Sequence, residues 1–358
     1  MKSDKTIVEE EKVPAADPYP KKISLTVDKQ AIKKLNVVVA YSKVERKDFA
    51  TQDAYDAEIE VEDRAADVVE SIKALGAQAK ALPGDQYFYT NLLVDQPNVV
   101  VNLVDTLHGK DKLQSSVPAS LELSGIPYTG AGLEGLVIGN SRNLTKRLLL
   151  SYDIPTPDFQ FVRRAGTSIN EELGLPLIVK LDGSGGSVGI NNNAVKETIR
   201  TAQNQVDRMV STYKMPVVVE RFIDGPEITV SVFDDGSKMH VFMGQKTFKF
   251  KPDGKHYFTS IESYEDLHAY GYKHVEDPLR TKVARLSTRA FRALGHKDYA
   301  KFDIRVDEQT GVPYVTDSNP NTAFGPDMGL PFTELAALHG VDFQELIGAL
   351  LTKYAPKS

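Results

Sequence analysis

Apolar positions along this chain fall into two kinds of run, short ones of period two and longer ones near period 3.6. In the first third the two kinds alternate. Leu35-Asn36-Val37-Val38-Val39-Ala40-Tyr41 is the first convincing strand, apolar enough to be buried on both faces. A polar loop over 42–58 follows. Then Ala65, Val68, Val69, Ile72 and Leu75 recur at helical spacing, and Gly76 ends the helix. Residues 77–82 and 98–104 predict a second and a third strand. Strands alternating with helices predict a small open parallel sheet over residues 34–128, an α/β substrate domain. Residues 1–33 mix charges with Pro14, Pro18 and Pro20 and are expected to form a flexible tail, mobile or draped on the surface.

The pattern then changes. Gly125, Pro127, Gly130 and Gly132 mark a crossing between domains, and a helix carrying Thr145 and Lys146 follows. Pro176 to Leu181 is a buried strand ending in a lysine and a leucine, and it runs into the glycine-rich loop Asp182–Gly189. This central lobe is expected to span 129–216. Val217 to Val230 reads as strand, turn, strand, broken at Asp224-Gly225-Pro226. Val283, Leu286, Ala290, Phe291 and Leu294 form one helical stripe, and Phe343, Leu346, Ile347, Leu350 and Leu351 another. Between the stripes, Lys301–Val306 and Val312–Asn321 flank a turn ending at Gly311, an antiparallel hairpin in a C-terminal lobe over 217–358. The fold class is therefore α/β in the first part and α+β in the rest.

Composition narrows the function. The chain has 358 residues, a net charge of −6 and no cysteine. Disulfides, zinc–thiolate sites and thiol nucleophiles are excluded. The acidic balance, without a basic stripe, argues against a nucleic-acid partner. No apolar run reaches the roughly 18 residues of a membrane span, and no signal-peptide core opens the chain, so a cytoplasmic protein with no membrane partner is expected. Gly-x-Gly-x-x-Gly is absent after the first strand, which disfavours a dinucleotide dehydrogenase.

The polar residues carry the chemistry. Folding the hairpin sets Asp303 opposite Thr316 or Asp317, depending on register, while Asp317 and Asn319 share a face. Two carboxylates and an amide oxygen suit Mg²⁺. The glycine loop leaves backbone N–H groups free to converge on phosphate, with Lys180 beside it and Lys146 as a second cation. Extended backbone at Arg221–Ile223 can offer an N–H and a C=O to an adenine edge, and Glu227 can accept from ribose hydroxyls. His108 lies just past the third strand, where a substrate loop or plain solvent is equally expected.

In this order the motifs resemble the ATP-grasp superfamily and, within it, the D-alanine–D-alanine ligase family. The residues that carry the resemblance are Gly125-Ile126-Pro127-Tyr128-Thr129-Gly130, Thr145-Lys146, Ile154-Pro155-Thr156-Pro157, Ile178-Val179-Lys180, Ser187-Val188-Gly189, Val219 to Glu227, Asp303 and Asp317-Ser318-Asn319-Pro320-Asn321. The resemblance implies an ATP-grasp fold with an N-terminal parallel-sheet domain, and ATP with Mg²⁺ or Mn²⁺ between two lobes. Lys146 and Lys180 would hold the phosphates, with Ser187 closing over them. Glu220 and the backbone of Arg221 and Ile223 would read adenine, and Glu227 the ribose. Asp303, Asp317 and Asn319 would hold the metal. Ser187, Lys301 and His108 would stand at the reacting groups. The implied activity is ATP-dependent joining of a carboxylate and an amine, both small molecules such as amino acids, through an acyl phosphate, in a homodimer as in many related ligases.

Departures cluster on the amino-acid side. Tyr41-Ser42-Lys43-Val44-Glu45-Arg46 stands where the family has a glycine-rich segment with a substrate-binding glutamate. Lys110-Asp111-Lys112 replaces a Glu-Asp-Gly, and Gly186 a serine. Lys301 replaces an arginine, and Asp317 a glutamate. The lid, sought within 257–272, has Tyr264-Glu265-Asp266-Leu267 where the family has a lysine, leaving Lys249, Lys251 or His268 as its nearest substitutes. Thr322–Asp327 lacks the usual residues for the second substrate's carboxylate. The alternatives are an ATP-grasp phosphotransferase and an ATP-binding protein without catalysis.

Overall fold

The computed structural model describes residues 19–49, 52, 55, 58–185, 188–261, 269–326 and 329–356. Its first sheet is parallel: β1 (Asn36–Tyr41), β2 (Gln78–Pro83) and β3 (Val99–Leu103) run in the order β2-β1-β3. The valine run of β1 is buried because the central strand is covered twice. Val37 and Val39 face a core with Ala65, Val68 and Ile72 of the helix Val61–Ala74. Val38 and Ala40 face a second core with Phe88, Leu92, Val117 and Leu121. Alternation along one strand thus feeds two layers.

The second sheet is antiparallel, with β4 (Phe159–Val162), β5 (Leu177–Leu181), β6 (Val195–Lys196) and β7 (Val217–Arg221) in the order β4-β7-β5-β6. Leu177, Val179, Leu181, Val217 and Val219 pack against Ala202, Val206 and Met209 of the helix Ile199–Tyr213. The alternate positions Ile178, Lys180 and Glu220 therefore emerge on the opposite face, which lines the cleft.

The third sheet has five antiparallel strands: β8 (Glu227–Asp234), β9 (Met239–Phe248), β10 (Tyr270–Lys273), β11 (Tyr299–Val306) and β12 (Pro313–Asn319), in the order β10-β9-β8-β11-β12. Val230, Phe302, Ile304 and Val315 bury one face under Val283, Ala290 and Phe291 of the helix Leu279–Ala293. The other face is polar over the cleft. Gly225 makes the turn into β8 possible: its φ is +138°, and a Cβ there would sit 2.1 Å from the Val306 carbonyl oxygen. That close approach lets Val306 N–H donate to Pro226 O at 3.0 Å and locks the start of β8 onto β11.

The expected tail needs correction over its described part. Ile23 N–H donates to His339 O at 3.0 Å and Leu25 N–H to Glu345 Oε1 at 2.6 Å. Leu25 and Ile32 are buried with Leu346 and Leu350 of the C-terminal helix Phe343–Tyr354. Four apolar residues spaced along a charged segment, Ile23, Leu25, Val27 and Ile32, suffice to dock it against an existing apolar face. Leu35, Val37, Phe233, Tyr299 and Leu351 lie in this same core, so the parallel sheet and the five-stranded sheet share buried surface. Among the described residues no helix is long and apolar enough to cross a membrane.

Candidate active site

A cleft of about 290 Å³ opens where the three sheets meet. Its floor is the polar face of the five-stranded sheet. The register answers the question the sequence left open: Asp303 stands opposite Asp317, Lys301 opposite Asn319, and Thr316 is the extra residue of a bulge. Bulges re-aim the side chains beside them. Here Thr316 Oγ1 donates back to Asp303 O at 2.9 Å, and Asp317 turns onto the face of Asp303.

Each acid has a cation. Lys301 Nζ donates to Asp303 Oδ2 at 2.7 Å. Arg142 Nη2 donates to Asp317 Oδ2 at 2.7 Å, while its Nη1 holds Leu181 O at 2.6 Å and Ser184 O at 2.7 Å. One guanidinium thereby ties an acid on β12 to the start of the glycine loop. Burial acts to raise the Asp317 pKa, but Arg142, Lys180 and Lys301 outweigh it and hold the group at about 2. Two register-paired carboxylates with Asn319 on the same face suit a hard cation that takes few protein oxygens. Among the described residues no third acid or histidine joins them.

The second sheet forms the opposite wall. Glu220, 1 % exposed, is shared by Lys180 Nζ at 3.1 Å and Lys146 Nζ at 3.3 Å. Lys146 also donates to Thr156 Oγ1 at 2.9 Å, and Thr156 to Val315 O at 2.8 Å. Burial, partly offset by Glu220, pulls the Lys146 amine down to about 8. Lys146 lies behind Glu220, in a small pocket with Arg142 and Asp317, rather than in the open cleft. Ile178, Ile190, Phe222 and Phe258 make an apolar slot beside it, suited to a flat ring. The Arg221 side chain turns away, 5.5 Å over the Tyr314 ring. The Ile223 carbonyl accepts from Arg305 Nε at 2.5 Å. Glu227 accepts from Lys246 at 2.7 Å, Thr259 at 2.6 Å and Arg305 at 2.9 Å. Burial works against its ionisation, yet these partners bring its pKa down to about 2.

Ser187, Gly186, Tyr264–Leu267, His268 and Asp327 lie outside the described residues. His108 is described, and the fold does not bring it to the cleft. Its side chain is 60 % exposed and its Nδ1 stands 3.3 Å from Asp48 Oδ2. The residues that do line the rim on this side are Glu58, Arg64, Asp105, Asp111 and Gln114, of which the motifs name only Asp111, within the run that replaces Glu-Asp-Gly. Arg64 Nη2 donates to Asp105 Oδ2 at 2.7 Å, and its Nε is buried without a partner. Asp111 Oδ2 accepts from Gly185 N–H at 2.9 Å, joining the rim to the glycine loop. No described residue hydrogen-bonds the Glu58 carboxyl; burial, then Asp105 and Asp111, push its pKa up to about 8. Asp105 had one legible signal, its place just beyond the end of β3.

The sequence profile described as "D-ala D-ala ligase C-terminus" matches residues 148–352. A D-alanine–D-alanine ligase from Polaromonas naphthalenivorans (strain CJ2) is 31% identical over 251 residues, 67% of this chain and 73% of the relative. Another, from Polaromonas sp. (strain JS666 / ATCC BAA-500), is 27% identical over 78% of this chain and 81% of its own length. The solved structure of D-alanine–D-alanine ligase from Bacillus anthracis complexed with ATP superposes with a TM-score of 0.67 at 19% identity, covering 89% of this chain and 97% of that one. The profile, the relatives and the shared fold agree, and the chain belongs to the D-alanine–D-alanine ligase family of ATP-grasp, ATP-dependent ligases.

Proposed function

We propose that the protein joins a small carboxylic acid, an amino acid by this reading, to the amine of a second one through an acyl phosphate. The observation that carries the reading is the meeting, in one cleft, of a basic phosphate wall, a paired-acid floor and an acidic rim. ATP lies with its adenine in the slot of Ile178, Phe222 and Phe258, its ribose at Glu227 and its phosphates toward Lys180, Lys146 and the glycine loop with Ser187. Asp303, Asp317 and Asn319 would hold Mg²⁺, which supplies charge neutralisation to the phosphates.

The first step transfers the γ-phosphoryl group to a carboxylate oxygen of the donor and releases ADP. The second is attack of the acceptor's free amine on the acyl carbon. The C–N bond forms first, giving a tetrahedral oxyanion intermediate; its collapse breaks the C–O bond and releases inorganic phosphate, and the amine's proton leaves to solvent. Lys301, partly buried and kept protonated by Asp303 against the pull of burial, stands to stabilise the oxyanion of that intermediate. Neither step requires a nucleophile from the protein, in keeping with a site built of positioned charges. The ammonium of an amino-acid substrate is met by Asp105 and Glu58 on the rim, and its arrival favours ionisation of the Glu58 carboxyl, which burial and its acidic neighbours otherwise keep protonated.

ADP release with ATP and Mg²⁺, over single and paired D- and L-amino acids with products weighed by mass spectrometry, tests this reading. D-Alanine is the first compound to try, because the curated relatives are named for it. ADP release that needs both an acid and an amine, with the mass of their amide, is expected. ADP formed with one substrate and no amide would make the protein a phosphotransferase. ATP binding without turnover on any pair would make it a non-catalytic nucleotide binder.

A further inference from the structure

One lysine of the cleft has no role in the scheme above. Lys246, at the cleft end of β9, belongs to the row that reads ribose. The register pairs Ile228 with Gln245, which sets Lys246 beside Glu227. Its Nζ donates to Glu227 Oε1 at 2.7 Å and to Thr259 Oγ1 at 2.5 Å, and stands 4.6 Å over the Tyr270 ring. The side chain is buried, and it lines the cleft.

The row contains more positive charge than it needs. Glu227 brings one negative charge; Arg305 and Lys246 bring two positive ones. Arg305 is fixed by its other contacts, with Ile223 O at 2.5 Å, Tyr257 O at 2.9 Å and Gly225 O at 3.0 Å, so it clips the turn into β8 to its neighbours. Lys246 holds no carbonyl. Its second partner is a hydroxyl, and Arg305 alone can neutralise Glu227. The surplus charge is therefore Lys246's. A buried surplus cation is costly unless an anion meets it.

The anion's place follows from the rows. Side chains two residues apart on one face are separated by about 7 Å along the strand. The next row on this face is Thr229, Asp303 and Asp317. A nucleotide with its ribose at Glu227 and its terminal phosphate at Asp303 and Asp317 must cross the gap between the two rows, within reach of a long flexible amine. Of Lys246, Lys249 and Lys251, Lys246 alone lines the cleft; Lys251 lies over the Tyr257 ring at 5.0 Å.

We propose that Lys246 is a phosphate-binding residue of the nucleotide site, a cation carried by the sheet itself that meets the inner phosphates and is held ready by Glu227 and Thr259 until they arrive. The assignment rests on the ATP-dependent reading of the cleft.

Calorimetric titration of the full chain with adenosine, ADP and ATP in Mg²⁺ tests it, using wild type, Lys246→Met and Lys246→Arg. Methionine keeps the length and apolar stem and removes the charge. The expected result is an ADP and ATP affinity about 10- to 100-fold weaker in Lys246→Met, the size of a charge-assisted hydrogen bond, with adenosine changed less than about twofold. Lys246→Arg restores most of the ADP affinity. Should the methionine variant not fold, Lys246→Gln, which keeps a donor for Glu227, is expected to show the same ADP-selective loss. Equal loss for adenosine and ADP would place Lys246 in ribose binding or in structure alone, and unchanged ADP binding would remove it from the site; either overturns the assignment. A wild-type protein that binds no adenine nucleotide overturns the ligase reading with it.

Discussion

The two halves of the cleft are built in different ways. The nucleotide half is a face of regular sheet. Lys180, Lys246, Lys301 and Arg305 from the strands, with Arg142 and Lys146 from the helix Arg142–Ser151, surround and pair with Glu220, Glu227, Asp303 and Asp317. Cations exceed carboxylates by two, and the sign suits a polyphosphate. The substrate half is a rim of loop and helix ends. There Glu58, Asp105 and Asp111 meet a single Arg64, and the sign suits an amine. Charge in the first half is preorganised on rigid elements, the arrangement that phosphoryl transfer demands. In the second half it is left open, to be completed by substrate.

The sharpest way to break the comparison is to discharge the floor. Asp317→Asn keeps the size of the side chain and removes the charge that Arg142 and a metal would share. Metal-assisted charge stabilisation is worth several kcal/mol, so turnover by ADP release is expected to fall at least about 100-fold. A variant within tenfold of wild type would show that Asp303 and Asn319 suffice, and that the floor is less preorganised than its register suggests.

The floor was also the most legible part of the sequence. Strand periodicity alone placed Asp317 and Asn319 on one face, and two registers remained for Asp303. What decided between them is the bulge at Thr316, which no residue pattern announces. Lys180 was legible for the same reason, a charge inside an otherwise apolar strand, whereas Glu220 came only with the family resemblance. Arg142 was not. It sits one residue past the Ser141 cap of its helix, and its partners Asp317, Leu181 and Ser184 are far off in sequence. The rim was the least legible: Glu58 and Arg64 meet Asp105 only because the helix Val61–Ala74 packs over β1 and β2. The docking of Ile23 to Ile32 on the C-terminal helix belongs to the same class, since a face more than 300 residues away decides it.

Glu58→Gln probes the open half. It removes a carboxyl that no described residue bonds, so little stability should depend on it. The KM of an amino-acid substrate is expected to rise about tenfold, the worth of one charge-assisted contact, with ATP affinity unchanged. A rise in the KM of ATP instead would merge the two halves into one electrostatic unit.

A smaller effect comes from pH. Lys146 titrates at about 8 because burial opposes its charge. Below that pH it is an ammonium and, on the proposed reading, adds its charge to phosphate binding; above it the charge is lost. ATP affinity should fall a few-fold between pH 7 and 9, and Lys146→Arg should flatten that slope, since a guanidinium stays charged throughout. Stability runs the other way. The folded pKa lies below the ordinary 10.5, so between about pH 8 and 10.5 the unfolded chain binds more protons than the folded one. The nucleotide-free protein therefore gains stability as pH rises across that window. Denaturant midpoints at pH 7.5 and 9.5 measure it, and an unchanged Lys146→Arg control separates this lysine from the other titrating groups.

The smallest effect is expected at His108, and it tests where the rim ends. The histidine has positive φ, +51°, and its ring is exposed with Asp48 as its one neighbour of opposite charge. Exposed pairs of this kind contribute at most about 1 kcal/mol. Its loop reaches the site through Asp111, which bonds the glycine loop, and not through the imidazole. His108→Ala should leave kcat/KM within about twofold, while Asp111→Asn, which weakens the acceptor of the Gly185 N–H, should cost more. If the order is reversed, the loop between β3 and Asp111 must turn inward when substrate binds, bringing the imidazole to the reacting groups. The acidic rim would then be a surface that folds around its substrate, in contrast to a nucleotide floor already set in register.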